Sequence, residues 1–166
     1  MTTWFTADLH FGHESIIRHC HRPFVGVAEM DAVLAANWNA RVQPDDDVWC
    51  LGDFCWRDVA RYGARLSGRK HLVTGNHDGD GVRDWLGWAS VQPYRELKLA
   101  GRRVVLFHYP IAEWNGFFRG AVHLYGHVHG SRPATSTSCD VGVDCWHYAP
   151  VSWQEIEGFL ACQPAA

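Results

Sequence analysis

The chain has 166 residues, 47% hydrophobic and 20% charged, with a net charge of −3 when its 11 histidines are neutral. That balance is ordinary for a globular protein of one domain, 1–166, and offers none of the strong positive field by which a basic nucleic-acid binder advertises itself. No apolar run approaches the roughly 20 residues of a membrane-spanning helix, and no basic-then-apolar leader opens the chain, so the expected setting is cytoplasmic without a membrane partner.

In chain order, the apolar run Trp4-Phe5-Thr6-Ala7 reads as a strand and ends at Asp8 and His10. A short helix is expected after Gly12, through Ile16, Ile17 and Cys20. A longer one should cover Ala28 to Arg41, with Met30, Val33, Leu34 and Trp38 on one stripe. Val48-Trp49-Cys50-Leu51 then leads into Gly52-Asp53, followed by a helix from about Arg57 to Leu66 that faces Val59, Gly63 and Leu66 inward. Leu72-Val73-Thr74 leads into Gly75-Asn76-His77-Asp78, and a short helix should hold Val82, Trp85 and Leu86. Arg95 to Leu99 and Arg103 to Val105 alternate around a Gly turn, as a hairpin does. Val104 to Phe107 leads into His108, and Leu124-Tyr125 into Gly126-His127-Val128-His129. Asp140 to Cys145 reads as one more strand, and Ser152 with Glu155 three residues on is a capping box opening a last helix.

Strand-like runs alternating with helical patterns indicate an α/β layered fold. In such sheets, sites form beyond the carboxyl ends of strands, where the loops diverge. Asp8, His10, Asp53, Asn76, His108, His127 and His129 all occupy such ends, and so does His77. They are therefore read as one constellation. Carboxylates with imidazoles suit borderline first-row cations: manganese as first choice, or iron, cobalt, nickel or zinc. Two such ions side by side perform phosphoryl chemistry. A glycine before Asp53, Asn76 and His127 lets the backbone turn sharply where each ligand emerges.

Asp-x-His, Gly-Asp, Gly-Asn-His-Asp, a lone His and Gly-His-x-His, in this order from Asp8 to His129, resemble the calcineurin-like metallophosphoesterases. Leu9-His10-Phe11-Gly12-His13 and Arg22-Pro23-Phe24 resemble the small, single-domain bacterial and phage-type members. The resemblance implies a β-sandwich of mixed sheets flanked by helices, with two divalent metal ions at the strand carboxyl ends. It assigns Asp8, His10 and His129 to the first ion, Asn76, His108 and His127 to the second, and Asp53 as the bridge. His77 would contact the phosphate and stabilise or protonate the leaving oxygen, while a hydroxide shared by the ions attacks phosphorus in line. The implied activity is hydrolysis of a phosphodiester of a small, nucleotide-like substrate; the alternatives are a nuclease on RNA or DNA, a phosphomonoesterase, and a non-catalytic metal-stabilised interaction module.

One departure concerns the His77 partner. Phosphoprotein phosphatases of this family carry a second Asp three residues after the bridging one, followed by Arg; here Trp56 and Arg57 stand there. Asp78 is the candidate substitute for orienting His77. Arg57 is a candidate phosphate contact, as are Asn115 and Arg119 in the aromatic segment Tyr109 to Ala121, placed at the site mouth. His13, close behind His10, is a candidate to touch substrate or orient a ligand. Arg57, Arg61 and Arg65 recur every fourth residue, as a solvated helix face or as a track for a nucleic-acid backbone. His19, His71, His123 and His147 are expected at the surface or behind the ligands. The six cysteines contain no Cys-x-x-Cys pair and are expected to stay reduced.

Overall fold

The structure, a computed structural model, describes residues 1–165. Two sheets face each other. The first has the order β4-β3-β2-β1-β9, built from β1 (Thr3–Thr6), β2 (Asp47–Cys50), β3 (Arg69–Val73), β4 (Ser90–Gln92) and β9 (Val151–Ser152). All its neighbours run parallel except β9, which is antiparallel to β1. The second has the order β5-β6-β7-β8, from β5 (Tyr94–Leu99), β6 (Arg102–Phe107), β7 (Val122–Tyr125) and β8 (Ser138–Asp140). There β5 and β6 form the expected antiparallel hairpin, and β6, β7 and β8 run parallel. This is the expected sandwich of two mixed sheets flanked by helices.

Strand alternation builds two cores from one sheet. Phe5, Trp49, Leu51 and Val73 point between the sheets at Val104, Leu106, Val122 and Leu124. Trp4, Val48, Cys50 and Leu72 point the other way, onto helices α1 (Glu14–His19), α2 (Val27–Arg41) and α3 (Val59–Gly63). Helix α2 buries Met30, Leu34 and Trp38, a stripe at helical spacing, and the Trp38 indole donates to the Ser67 carbonyl at 2.9 Å. The last helix, α5 (Trp153–Leu160), carries the expected capping box: the Ser152 hydroxyl accepts from the Glu155 N–H, and Glu155 accepts from the Ser152 N–H at 2.9 Å.

Several local expectations need correction. Helix α3 is shorter than Arg57 to Leu66, because Asp58 caps it in a left-handed conformation (φ 54°) and accepts from the Arg61 N–H. Only Arg61 of the three spaced arginines is helical, so no continuous helical row of cations forms. Helix α4 (Asp80–Arg83) ends before Trp85, which turns its indole under Gly63, and Leu86 is fully exposed. The strand expected over Asp140 to Cys145 stops at Asp140. Its carboxylate accepts from the Gly142 N–H at 2.6 Å and closes a turn, and a 3-10 turn follows at Val143–Cys145. All six cysteines are unbridged, and no described helix is long and apolar enough to cross a membrane.

His123, expected at the surface or behind a ligand, is instead fully buried in β7, its ring nitrogens each 3.2 Å from the Val105 and Tyr109 carbonyls. Burial holds its pKa down to about 4, although both carbonyls favour the protonated ring. An unfolded chain takes up that proton near pH 6.5, so between about 6.5 and 4 the unfolded state binds a proton that the folded state refuses. Acidification across that window should therefore cost stability, on the order of 3 kcal/mol from this ring. We expect urea midpoints to fall between pH 7 and pH 4.5 more steeply in the wild type than in His123→Gln. Equal slopes would remove His123 from the account.

Candidate metal centre

Three of the five ligand blocks leave their strands through a backbone conformation that L-residues avoid. Asp8 (φ 55°), His10 (52°), Asp53 (55°), His127 (71°) and His129 (47°) are all left-handed. Such strain costs on the order of 1–3 kcal/mol per residue and gathers where function holds it in place. The loops also crowd together. A Cβ on Gly52 would stand 2.4 Å from His108 Nδ1, and one on Gly126 2.5 Å from Asp8 Oδ2, so neither position admits a side chain.

The seven expected ligands converge. Asp8, His10 and His129 bring donor atoms within 4.8 Å of one another, and so do Asp8, Asp53 and His108. Asn76 Oδ1 lies 2.8 Å from His108 Nε2 and 3.0 Å from His127 Nδ1. Between the two groups sits Asp53 Oδ2, 3.6 Å from His10 Nε2 and 3.7 Å from His108 Nε2.

The donors fit divalent cations on grounds internal to the structure. Asp8 Oδ1 and His10 Nε2 are buried without any hydrogen-bond partner among the described residues, a costly state for polar atoms unless an ion completes them. His108 donates from Nδ1 to the Leu51 carbonyl at 2.7 Å, so in its neutral form Nε2 turns a lone pair toward Asn76 and Asp53. His129 likewise offers Nδ1 to Asp144 at 2.8 Å. Metal-bound histidines are typically oriented in this way, by an outer acceptor on the far nitrogen.

The electrostatics agree. Burial pushes the Asp8 carboxyl well up, with Asp140 and Asp53 adding to it against the pull of His129. Burial drives His10 down to about 2, helped by Arg22 and the neighbouring histidines. Burial also lowers His129, but its bonds to Asp144 and Cys20 and the charge of Asp8 outweigh it and raise the ring to about 10. Without an ion, this one group therefore sets an imidazole that refuses a proton, His10, beside an acid and an imidazole that favour keeping theirs, Asp8 and His129.

His77 is exposed beside the ligands, its ring 5.5 Å from that of His10, while its backbone N–H donates to Asp53 Oδ1 at 2.9 Å. Asp78 makes no hydrogen bond or ion pair with that ring. Its buried carboxylate instead accepts from the N–H groups of Asp53, Phe54 and Gly75, pinning two ligand loops together. The expectation that Asp78 orients His77 is thereby replaced.

Relatives span nearly the whole chain. MJ1445, an uncharacterized protein of Methanocaldococcus jannaschii, is 30% identical over 161 residues, covering 90% of this chain and 85% of its own length. The gene 66 protein of Mycobacterium phage L5 is 30% identical over 181 residues, covering 87% of each chain. The crystal structure of AQ665, a protein of unknown function from Aquifex aeolicus, superposes with a TM-score of 0.77 at 27% identity, covering 95% of this chain and 98% of that one. No family model matches. Identity at that level over most of both chains places this protein with MJ1445 and the gene 66 proteins, and the five ligand blocks converge as the resemblance to calcineurin-like metallophosphoesterases implies. The chain belongs to the family of MJ1445 and the phage gene 66 proteins.

Within this fold, two substrate expectations fail. Asn115 and Arg119 lie at the pole opposite the ligands, beside Gly101 and Ala121 at the amino ends of β6 and β7. The loop from Tyr109 folds back along the strands because Trp114 covers His123 at 5.1 Å and donates to the Ala121 carbonyl at 2.9 Å. Asn115 is consumed by Glu96, at 2.9 Å. Arg57 does line a cleft with Asn76 and His77. His13 Nδ1 lies 3.2 Å from His10 Nδ1, where it can orient that ligand.

Two residues beside the candidate metal ligands are not legible in the sequence. Arg22 is buried and forms a paired contact with Asp144, at 2.8 Å from both Nε and Nη2, while donating to the carbonyls of Asp8 and Leu9. Asp144 thereby links Arg22 to His129. They are 122 positions apart, and no spacing rule joins them.

Proposed function

We propose that the protein is a metal-dependent phosphoric ester hydrolase that cleaves a phosphodiester of a small, nucleotide-like molecule. The observation that carries this reading is Asp53 Oδ2, placed where the Asp8–His10–His129 group meets the Asn76–His108–His127 group. Asp8, His10 and His129 would hold one divalent cation, Asn76, His108 and His127 the other, and Asp53 both. Bound there, the cations supply Lewis acidity that ionises water near neutral pH and offsets charge on the phosphoryl oxygens. Asn76 contributes a neutral donor, which keeps the donor set from cancelling the charge that attracts an anionic ester.

The chain's own part is to position and to exchange a proton. His77 is held by its N–H to Asp53 and leaves its imidazole free at the cleft, as a general acid at a leaving oxygen requires. A diester carries two substituents, and two clefts flank the site. One, of about 870 Å³, reaches Asn76 and His77, and the other, of about 670 Å³, reaches Gly12 and His13. That pairing supports a diester over a monoester.

Bis(4-nitrophenyl) phosphate with added manganese should be turned over, faster than 4-nitrophenyl phosphate. A chelator should stop the reaction and fresh manganese restore it. No turnover with any of manganese, iron, cobalt, nickel or zinc would sink the proposal.

A further inference from the structure

The two clefts are divided by an aromatic wall that stands where the phosphoprotein phosphatases of the resembled family carry an acid. Trp56 is 47% exposed, yet its ring is fixed: one face lies parallel to His13, with centroids 4.4 Å apart and planes 17° from parallel. Its backbone N–H donates to the Phe11 carbonyl at 2.9 Å, tying the Asp53 loop to the His10 loop. The wall ends beside His77, 5.9 Å from the indole.

The larger cleft, on the His77 side, has a second indole, Trp85, and two guanidinium groups, Arg57 and Arg83. Arg57 has no hydrogen bond or ion pair among the described residues, and Arg83 has only a 3.9 Å approach to the exposed Asp80. A half-exposed indole rigidly backed by a histidine ring offers a π-face, and free guanidinium groups beside it offer charge to an anion. The volume lies within the usual range for small-molecule sites.

We infer that this cleft is the leaving-group subsite, that it takes a nucleoside phosphate, and that Trp56 is the specificity-determining residue that receives the base. Arg57 and Arg83 take an anionic group of the same ligand. The inference rests on the hydrolytic reading, because it is His77 that marks this side as the one the leaving oxygen departs from.

The product-side ligand tests it without requiring turnover. Calorimetric titration of the manganese-loaded protein should show AMP binding at least about tenfold more tightly than ribose 5-phosphate, as base–aromatic stacking provides. Trp56→Phe should keep most of that ratio, and Trp56→Ala should bring it near one. The pair Arg57→Gln with Arg83→Gln should weaken both ligands and leave the ratio alone. A parallel assay with bis(4-nitrophenyl) phosphate separates the two claims. Turnover in the wild type with equal affinity for AMP and ribose 5-phosphate, or an unchanged ratio in Trp56→Ala, overturns the subsite assignment while the hydrolase stands. No turnover, with the AMP preference intact, overturns the hydrolytic reading and the leaving-group assignment with it.

Discussion

Asp53→Asn should lower phosphodiester turnover by at least about 10³-fold while leaving the fold standing, beyond the ten- to hundredfold loss usual for an outer-shell partner. The substitution is nearly isosteric. Its oxygen can still accept the His77 N–H that Asp53 Oδ1 holds at 2.9 Å, which leaves an amide NH2 where Oδ2 faced His10 and His108. An NH2 aimed between two cation positions repels both. Metal content should fall from two ions to one or none. Without metal the effect on stability reverses sign, because the Asp53 charge is among those that push the buried Asp8 carboxyl up, and removing it relieves that repulsion. The metal-free variant should therefore melt no earlier than the wild type. With manganese present it should lack the roughly 2.7 kcal/mol that each ion contributes at a hundredfold excess over its Kd. Turnover, elemental analysis and melting with and without manganese check the three statements. A variant at wild-type rate would end the bridging role.

The part of this site that could be read from the sequence was the part written locally. A strand that runs into Asp8, Asp53, Asn76, His108 or His127 announces both the element and the ligand, and parallel strands carry their carboxyl ends to one rim. The capping box at Ser152 was legible for the same reason: all of its atoms lie within four residues. What stayed hidden was decided across the chain. Arg22 and Asp144 meet only after both sheets have assembled. The direction of the loop carrying Asn115 and Arg119 depends on where Trp114 finds apolar cover, and it finds it over His123, away from the ligands. His123 itself looked like any strand histidine, since nothing in its neighbours says that two backbone carbonyls will face its ring. Asp140 misled because Val141, Gly142 and Val143 continue a strand pattern, whereas its side chain turns back to take the Gly142 N–H.

Asp78 decides between two accounts of how the catalytic loops are held, and Asp78→Ala should be among the most damaging single changes in the protein. Its fully buried carboxylate accepts three backbone N–H groups: Asp53 at 2.9 Å and Gly75 at 2.8 Å on one oxygen, Phe54 at 3.0 Å on the other. Burial raises this acid, with the Asp53 charge adding to it and the three N–H groups opposing, so the carboxylate is kept for geometry at an electrostatic cost. Alanine would leave all three donors buried and unpaired, at about 1–3 kcal/mol apiece before relaxation, for a net loss on the order of 4 kcal/mol. In a domain of this size that is a fall in Tm of roughly 10 °C. Asn is the sharper probe. Its single oxygen can serve Asp53 and Gly75 but turns an NH2 toward the Phe54 N–H, so one donor stays unpaired and the loss should be about 1–3 kcal/mol. Turnover should fall with it, because the same bonds set the spacing of Asp53 from Asn76. If Asp78 acted instead through the His77 ring, Asp78→Asn would reduce turnover and leave the urea midpoint at the wild-type value. That result would return Asp78 to the part of the acid that Trp56 displaces.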